Sequence, residues 1–208
     1  MIAVIDYGMG NIHSVYKAVE SQGGQVCIAA GCEEVRQADK LILPGVGAFD
    51  DAMAELERRS LTALLKEQVI TQRKPFLGIC LGMQLLFEES EEAKTAGGLG
   101  MLAGRVVRFR EKPGCKVPHM GWNRIEPVVA GDGSVCPLLA GIGGPEFVYF
   151  CHSYYPEPAE SGDVASRTEY ITPFASGVWR ENIFGVQFHP EKSQGVGLRM
   201  IKNFVDIC

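Results

Sequence analysis

The chain has 208 residues, 46% of them hydrophobic and 22% charged, with a formal net charge of -5 and a pI near 5.4. Its length suits one α/β domain, residues 1–208, with a substantial core. The acidic balance gives no electrostatic reason to expect nucleic acid or an anionic membrane as partner, and no stretch approaches the roughly 18 apolar residues of a membrane helix, so a small or proteinaceous partner is expected.

MIAVID opens the chain as a first strand; its apolar run is short and has neither a basic leader nor a small-residue cleavage site, unlike a signal peptide. NIHSVYKAVESQG follows as a helix with Asn11 as N-cap, then the strands QVCIAA and KLILPG, a long helical region from Phe49 to about Gln72, and the strand PFLGIC with a helix over Gly82 to Glu88. Alternating strand and helix predicts a parallel sheet covered on both faces, and the continuous apolar runs VID, LILPG and FLGIC fit strands buried on both sides. After about Gly97 the texture becomes richer in strands: GRVVRFR, HMGWNRIEP, EFVYFCHSYY, DVASRTEY and PFASGVWRENIFGVQF. GVGLRMIKNFVDIC returns to helical spacing, with Leu198, Ile201, Phe204 and Val205 on one stripe and Ser193 near its start. The predicted class is α/β, a mostly parallel central sheet flanked by helices with an added β-rich half.

Seven cysteines, at 27, 32, 80, 115, 136, 151 and 208, are odd in number and form no CxxC pair. This argues against a disulfide framework and a zinc site and for a reducing cytoplasm, with no metal expected. YGMGN lacks the GxGxxG pattern and no GxxxxGK segment occurs, so no nucleotide cofactor is expected.

Ligands of open parallel sheets bind at the carboxyl ends of strands. Three glycine-rich loops are predicted there: Tyr7 to Asn11, Gly45 to Gly47, and the turn at Cys80. Gly78 and Gly82 remove Cβ atoms from a sharp strand-to-helix turn and display the residue between them, while the helix amino end favours thiolate over thiol. Cys80 is thus placed as a nucleophile; the alternative is a small buried hydrophobe. A thiolate needs a base, and the base an orienting acceptor. In NIFGVQFHPEKS, His189 ends an apolar strand and Glu191 stands two residues on; in extended chain the two project to one side, roughly 6 to 7 Å apart, with Pro190 stiffening the pair. The alternative is a surface histidine beside a solvated carboxylate. PGVG at 44 to 47 offers backbone donors for a developing oxyanion, with the N–H of Leu81 as a second donor.

PGVGAF, GICLGMQLLFEES and GVQFHPEKS, in this order, closely resemble the class I triad glutamine amidotransferases. Within them DYGMGNIHSV, PHMGWN and HSYY look like the glutaminase subunits of imidazole glycerol phosphate synthases, and the resemblance spans essentially the whole chain. It implies a γ-glutamyl thioester on Cys80, acid–base work by His189 and orientation by Glu191. It also implies an oxyanion loop of Gly45, Val46 and Gly47 in which the Val46 peptide turns to form the hole, glutamine binding at Gln84 and Gly47, and backbone contacts from Ser153 and Tyr154. The implied partner is a (β/α)8-barrel cyclase that takes up the ammonia. Met120, Trp122 and Asn123 would dock it, with Tyr149 and Lys192 at the interface near the site; the bland alternatives are a core strand, a core tyrosine and a solvated lysine. His119 and His152 lack a carboxylate at useful spacing and read as structural. The acidic segment EESEEAKTAGGLG departs from the family pattern without touching a catalytic position. Another triad amidotransferase, a free-standing γ-glutamyl hydrolase and a non-catalytic binding subunit stay open beside the favoured reading.

Overall fold

Ile2–Ile5 form β1, which lies between β2 and β3 in the parallel part of the sheet. The computed structural model describes residues 1–129 and 133–206, so the last two residues of the predicted carboxyl-terminal helix, Cys208 among them, lie outside the described residues. From β1 the chain runs through α1 (Ile12–Ser21), β2 (Val26–Ala29), α2 (Cys32–Gln37), β3 (Lys40–Gly45), α3 (Phe49–Arg58), α4 (Leu61–Lys66), β4 (Phe76–Cys80) and α5 (Leu81–Gln84). The β-rich half supplies β5 (Glu89–Ser90), β6 (Gly104–Arg108), β7 (His119–Pro127), β8 (Glu146–His152), β9 (Tyr154–Pro158), β10 (Val164–Glu169), β11 (Pro173–Arg180) and β12 (Ile183–Val186), before α6 (Gln194–Asp206).

The main sheet has nine strands in the order β2-β1-β3-β4-β12-β11-β10-β7-β8, and β5-β6-β9 form a small second sheet. Pairing is parallel from β2 to β12 and antiparallel from β12 to β8. The first five strands follow the flavodoxin-like order, and most of the β-rich half extends the same sheet. The expected two-sided burial holds: β1, β3 and β4 are buried along their whole lengths. Ala3, Ile5, Leu41 and Leu43 pack on one face against Phe49, Leu56, Leu64 and Leu65 of α3 and α4. Ile2, Val4 and Ile42 pack on the other against Val15 and Val19 of α1 and Ile201 and Phe204 of α6. Each Val, Leu, Ile or Phe among them contributes roughly 1.5–3 kcal/mol of burial.

Several predicted elements differ in detail. The helix over Phe49 to Gln72 is broken at Ser60, whose φ is 59°. The buried stripe Phe49, Ala52, Met53, Leu56 gives way to Leu61, Leu64, Leu65, and the two residues between the helices, Arg59 and Ser60, rephase it. A π-helical stretch, Glu67–Thr71, closes this region. Asn11 stands at the N-cap position of α1, but its side chain makes no capping bond. EFVYFCHSYY divides at Ser153 into β8 and β9, which belong to different sheets. The helix α2 is absent from the predicted set because six residues with one buried apolar side chain, Val35, carry little periodic signal. No helix among the described residues is long and apolar enough to cross a membrane.

Candidate active site

The carboxyl ends of β3, β4 and β12 meet at one rim, and the residues that close the chain there define the site. At the end of β4, Cys80 takes φ 55° and ψ -110°, a conformation that costs a non-glycine residue about 1–3 kcal/mol. Along β4 the side chains alternate, Phe76 to the α3 face and Leu77 and Ile79 to the α6 face; the positive φ throws Cys80 to the face of Leu77 and Ile79. Both glycines framing it are sterically obligatory. A Cβ on Gly78 would lie 2.6 Å from the Gly82 carbonyl oxygen, and one on Gly82 would lie 1.8 Å from that of Leu43. The strain at Cys80 is therefore held by the close packing of α5 onto β3 and β4.

Two expectations about this turn need correction. The helix predicted over Gly82 to Glu88 is the single turn Leu81–Gln84, too short for its dipole to be the main influence on the thiol. The thiol is also not displayed at the surface: Cys80 is only 6% exposed and lies in the wall of a cavity of about 300 Å³. Its sulfur lies 3.9 Å from the Cys151 carbonyl oxygen and receives a hydrogen bond of 3.7 Å from Nε2 of Gln187.

His189 stands beyond β12 with its ring in the same cavity. Nδ1 lies 2.9 Å from Oε1 of Glu191, leaving Nε2 for the thiol. This contact is made by a tight turn over Pro190–Lys192 and not by extended chain, so i, i+2 alternation in a strand is not what joins the pair. Ser193 anchors the turn: its hydroxyl donates to the His189 carbonyl at 2.6 Å and accepts from the Tyr149 N–H at 3.0 Å. Burial alone would push the imidazole down, but contacts with Cys80 and Glu191 outweigh it and lift His189 to about 10. The imidazole is therefore charged across neutrality while it faces the thiol.

The cavity brings together most of the predicted set: Val46, Gly47, Cys80, Leu81, Gln84, Ser153, Tyr154, Tyr149, Lys192 and His189 all line it. Glu191 stands behind His189, outside the lining. Gly45 is also outside; it is buried beneath the loop, where a Cβ would meet the Tyr7 hydroxyl at 2.6 Å and the Leu81 Cβ at 2.9 Å. Gln84 is already engaged, its Nε2 donating to the Tyr154 carbonyl at 3.0 Å and to Oε1 of Gln187 at 3.1 Å. It braces the wall as well as facing the cavity. The Ser153 carbonyl accepts from the Phe109 N–H at 3.0 Å.

Met120, Trp122 and Asn123 lie on β7, outside the cavity. Met120 is 62% and Trp122 47% exposed, which excludes a core strand for these two. Trp122 meets Tyr149 edge to face at 6.1 Å, and the Lys192 ammonium sits 5.8 Å over the Tyr149 ring, so this apolar surface runs into the cavity mouth. Asn123 points the other way: its Nδ2 donates to the Glu169 carbonyl and approaches Nε2 of His119 at 3.2 Å.

His119 and His152, the latter also on the cavity wall, are joined by a hydrogen bond, and their tautomers follow from their partners. The Tyr154 carbonyl can only accept, so Nδ1 of His152, 2.8 Å away, carries the proton. Its Nε2 then accepts from Nδ1 of His119 at 3.0 Å, and Nε2 of His119 accepts from Asn123. Burial pushes His119 down to about 4 and His152 to about 3, so both rings stay neutral at physiological pH.

The predicted set omits Pro118, Cys151 and His152 of the cavity lining, and two further residues that make specific contacts at the site. Gln187, wholly buried, bridges Gln84 and Cys80, in a segment where HPE drew the attention. Glu92 belongs to the acidic segment that had no assigned role, yet it lines the cavity and its Oε2 accepts from the Phe49 N–H at the start of α3 at 3.0 Å. Burial pushes its carboxyl up. Its neighbours are tied down as well, Asp50 accepting from the Lys94 and Ala96 N–H groups.

A strained thiol, an oriented imidazole and backbone N–H groups around one cavity can carry out nucleophilic acyl transfer. A profile of the family described as glutamine amidotransferase class-I matches residues 3–208. The imidazole glycerol phosphate synthase subunit HisH of Methylococcus capsulatus is 47% identical to this chain over 213 residues, covering 98% of this chain and 95% of its own length. The subunit of the same name from Syntrophotalea carbinolica is 48% identical over 212 residues, covering 100% of both. Among solved structures, one described as a glutamine amidotransferase aligns with a TM-score of 0.76 at 16% identity, over 99% of each chain. PurLQS from Thermotoga maritima aligns at 0.72 and 20% identity, over 98% of this chain and 94% of its own.

Proposed function

This chain belongs to the class I glutamine amidotransferase family, and from that premise we propose that it is the glutaminase subunit of an imidazole glycerol phosphate synthase, working as a single domain in the cytoplasm. It hydrolyses glutamine to glutamate and ammonia in histidine biosynthesis. The sulfur of Cys80 attacks the side-chain amide carbon of glutamine, and the N–H groups of Val46 and Leu81 receive the oxyanion. His189, held through Nδ1 by Glu191, gives its proton to the leaving nitrogen, and ammonia departs from a γ-glutamyl thioester. His189 then takes a proton from water, whose oxygen attacks the thioester; the C–S bond breaks and glutamate leaves with the thiol restored.

Gln187 steadies the sulfur through its 3.7 Å hydrogen bond. The Glu92 carboxylate, on the cavity wall, is suited to the substrate's α-ammonium group, and Gln84, Gly47, Ser153 and Tyr154 complete the pocket. The exposed face of Met120 and Trp122, with Asn123 behind it and Tyr149 and Lys192 at the cavity mouth, receives a (β/α)8-barrel cyclase. The cyclase joins the ammonia to a phosphoribulosyl aminoimidazole carboxamide ribonucleotide, giving imidazole glycerol phosphate and an aminoimidazole carboxamide ribonucleotide. The observation that carries this reading is the His189–Glu191 pair at 2.9 Å facing the strained Cys80 in one cavity.

The expected result is slow glutamine hydrolysis by the chain alone and a rate at least about 100-fold higher with the cyclase and its ribonucleotide, the worth of one oxyanion donor. Equal rates of glutamate release with and without the cyclase would contradict the dependence on a partner.

A further inference from the structure

The hydroxyl of Tyr7 is wholly buried and has no hydrogen-bond partner among the described residues. Such a group destabilises a fold, and its persistence asks for an acceptor elsewhere in the working cycle. It remains a donor, because burial, and then negative charge at Cys80, push its pKa up.

The position of this hydroxyl is specific. It lies 2.6 Å from where a Cβ on Gly45 would sit, and Gly45 is paired in register with Cys80 across β3 and β4. The loops at 7–11 and 45–47 touch elsewhere too: a Cβ on Gly10 would meet the Pro44 carbonyl oxygen at 3.2 Å, and one on Gly47 would meet Cε of Met9 at 2.7 Å. Between the two glycines, Val46 is 44% exposed and lines the cavity, and Gly47 has φ +104°. A peptide flanked by glycines turns easily, and its C=O and N–H lie on opposite edges of one plane.

We propose that Tyr7 is a positioning residue for the oxyanion loop: in the reacting state the Gly45–Val46 peptide turns so that the Gly45 carbonyl accepts from the Tyr7 hydroxyl, which directs the Val46 N–H to the cavity beside Cys80. This rests on the glutaminase reading. In the free chain the hydroxyl is unpaired, and its bond forms only where it supports the reaction.

The test is Tyr7→Phe, assayed for steady-state glutamine hydrolysis with the cyclase and its ribonucleotide, and for thermal unfolding as the free chain. The expected result is a kcat lower by about 5- to 10-fold, the worth of one hydrogen bond, with KM for glutamine within about a factor of two. The unfolding midpoint of the free chain stays the same or rises, because an unpaired buried hydroxyl has been removed. A purely structural tyrosine gives the reverse, a lower midpoint with kcat retained. An unchanged kcat, or a lower midpoint in the free chain, overturns the proposal. Wild-type complex that releases no glutamate overturns the glutaminase reading itself, and the Tyr7 assignment with it.

Discussion

Cys80→Ser is expected to abolish glutamine hydrolysis in the assembled complex, lowering kcat by at least about 10⁴-fold, because losing the proposed nucleophile removes the covalent route. The substitution keeps volume and a group for Gln187 to meet, so the fold survives and the loss is chemical. It also changes His189. In the wild type, burial pushes that imidazole down while Cys80 and Glu191 lift it to about 10, so it is protonated below that pH. Without the charge at position 80 the balance moves toward burial, and His189 titrates below its wild-type value. NMR titration of the imidazole measures this shift, and glutamate release measures the loss of turnover. Turnover within about tenfold of wild type would remove Cys80 from the mechanism.

Gly82→Ala is expected to destabilise the fold by about 3 kcal/mol or more and to take catalysis with it. The added Cβ would sit 1.8 Å from the Leu43 carbonyl oxygen, and the obstacle is the backbone of β3, not the end of a flexible side chain. Relief requires α5 to move off β3, and α5 carries both Leu81, whose N–H we propose as the second oxyanion donor, and Gln84. Gly143→Ala is the matching control, since nothing lies within 4 Å of its Cβ. Denaturant unfolding of the two variants separates the cases. A midpoint for Gly82→Ala equal to that of Gly143→Ala would show that the elbow is not held by this contact.

Much of the site was legible in the sequence because its signals are local. GICLG places a cysteine between two glycines at a strand end, and the need for glycine at 78 and 82 is a matter of a few residues and one neighbouring strand. HPE joins a ring to a carboxylate two residues away, whatever the backbone between them does. What escaped prediction depends on distant partners. The Gln187–Cys80 bond spans 107 positions, and the contact of Glu92 with Phe49 spans 43. The orphaned Tyr7 hydroxyl exists only once the loops at 7–11 and 45–47 are packed together, and the Cys80 sulfur meets Cys151 of β8 and Gln187 beyond β12, both far away in the chain. For β7 the residues alone leave a docking face and a core strand equally open, and the fold decides by leaving Met120 and Trp122 exposed. The helix over Gly82 to Glu88 was overextended for a different reason. Its apolar residues serve a tight series of turns, in which Leu99, Met101 and Leu102 bond back to the carbonyls of Leu85 and Leu86, and burial of that kind resembles helical periodicity.

The central claim is that glutamine is cleaved through a thioester on Cys80. Its most direct test is acid quenching of the wild-type complex during turnover, followed by peptide mass spectrometry. The predicted result is a γ-glutamyl adduct on the peptide containing Cys80, absent when glutamine is omitted and absent in Cys80→Ser. Glutamate release with no adduct on Cys80, or an adduct on another cysteine that survives Cys80→Ser, would contradict the account.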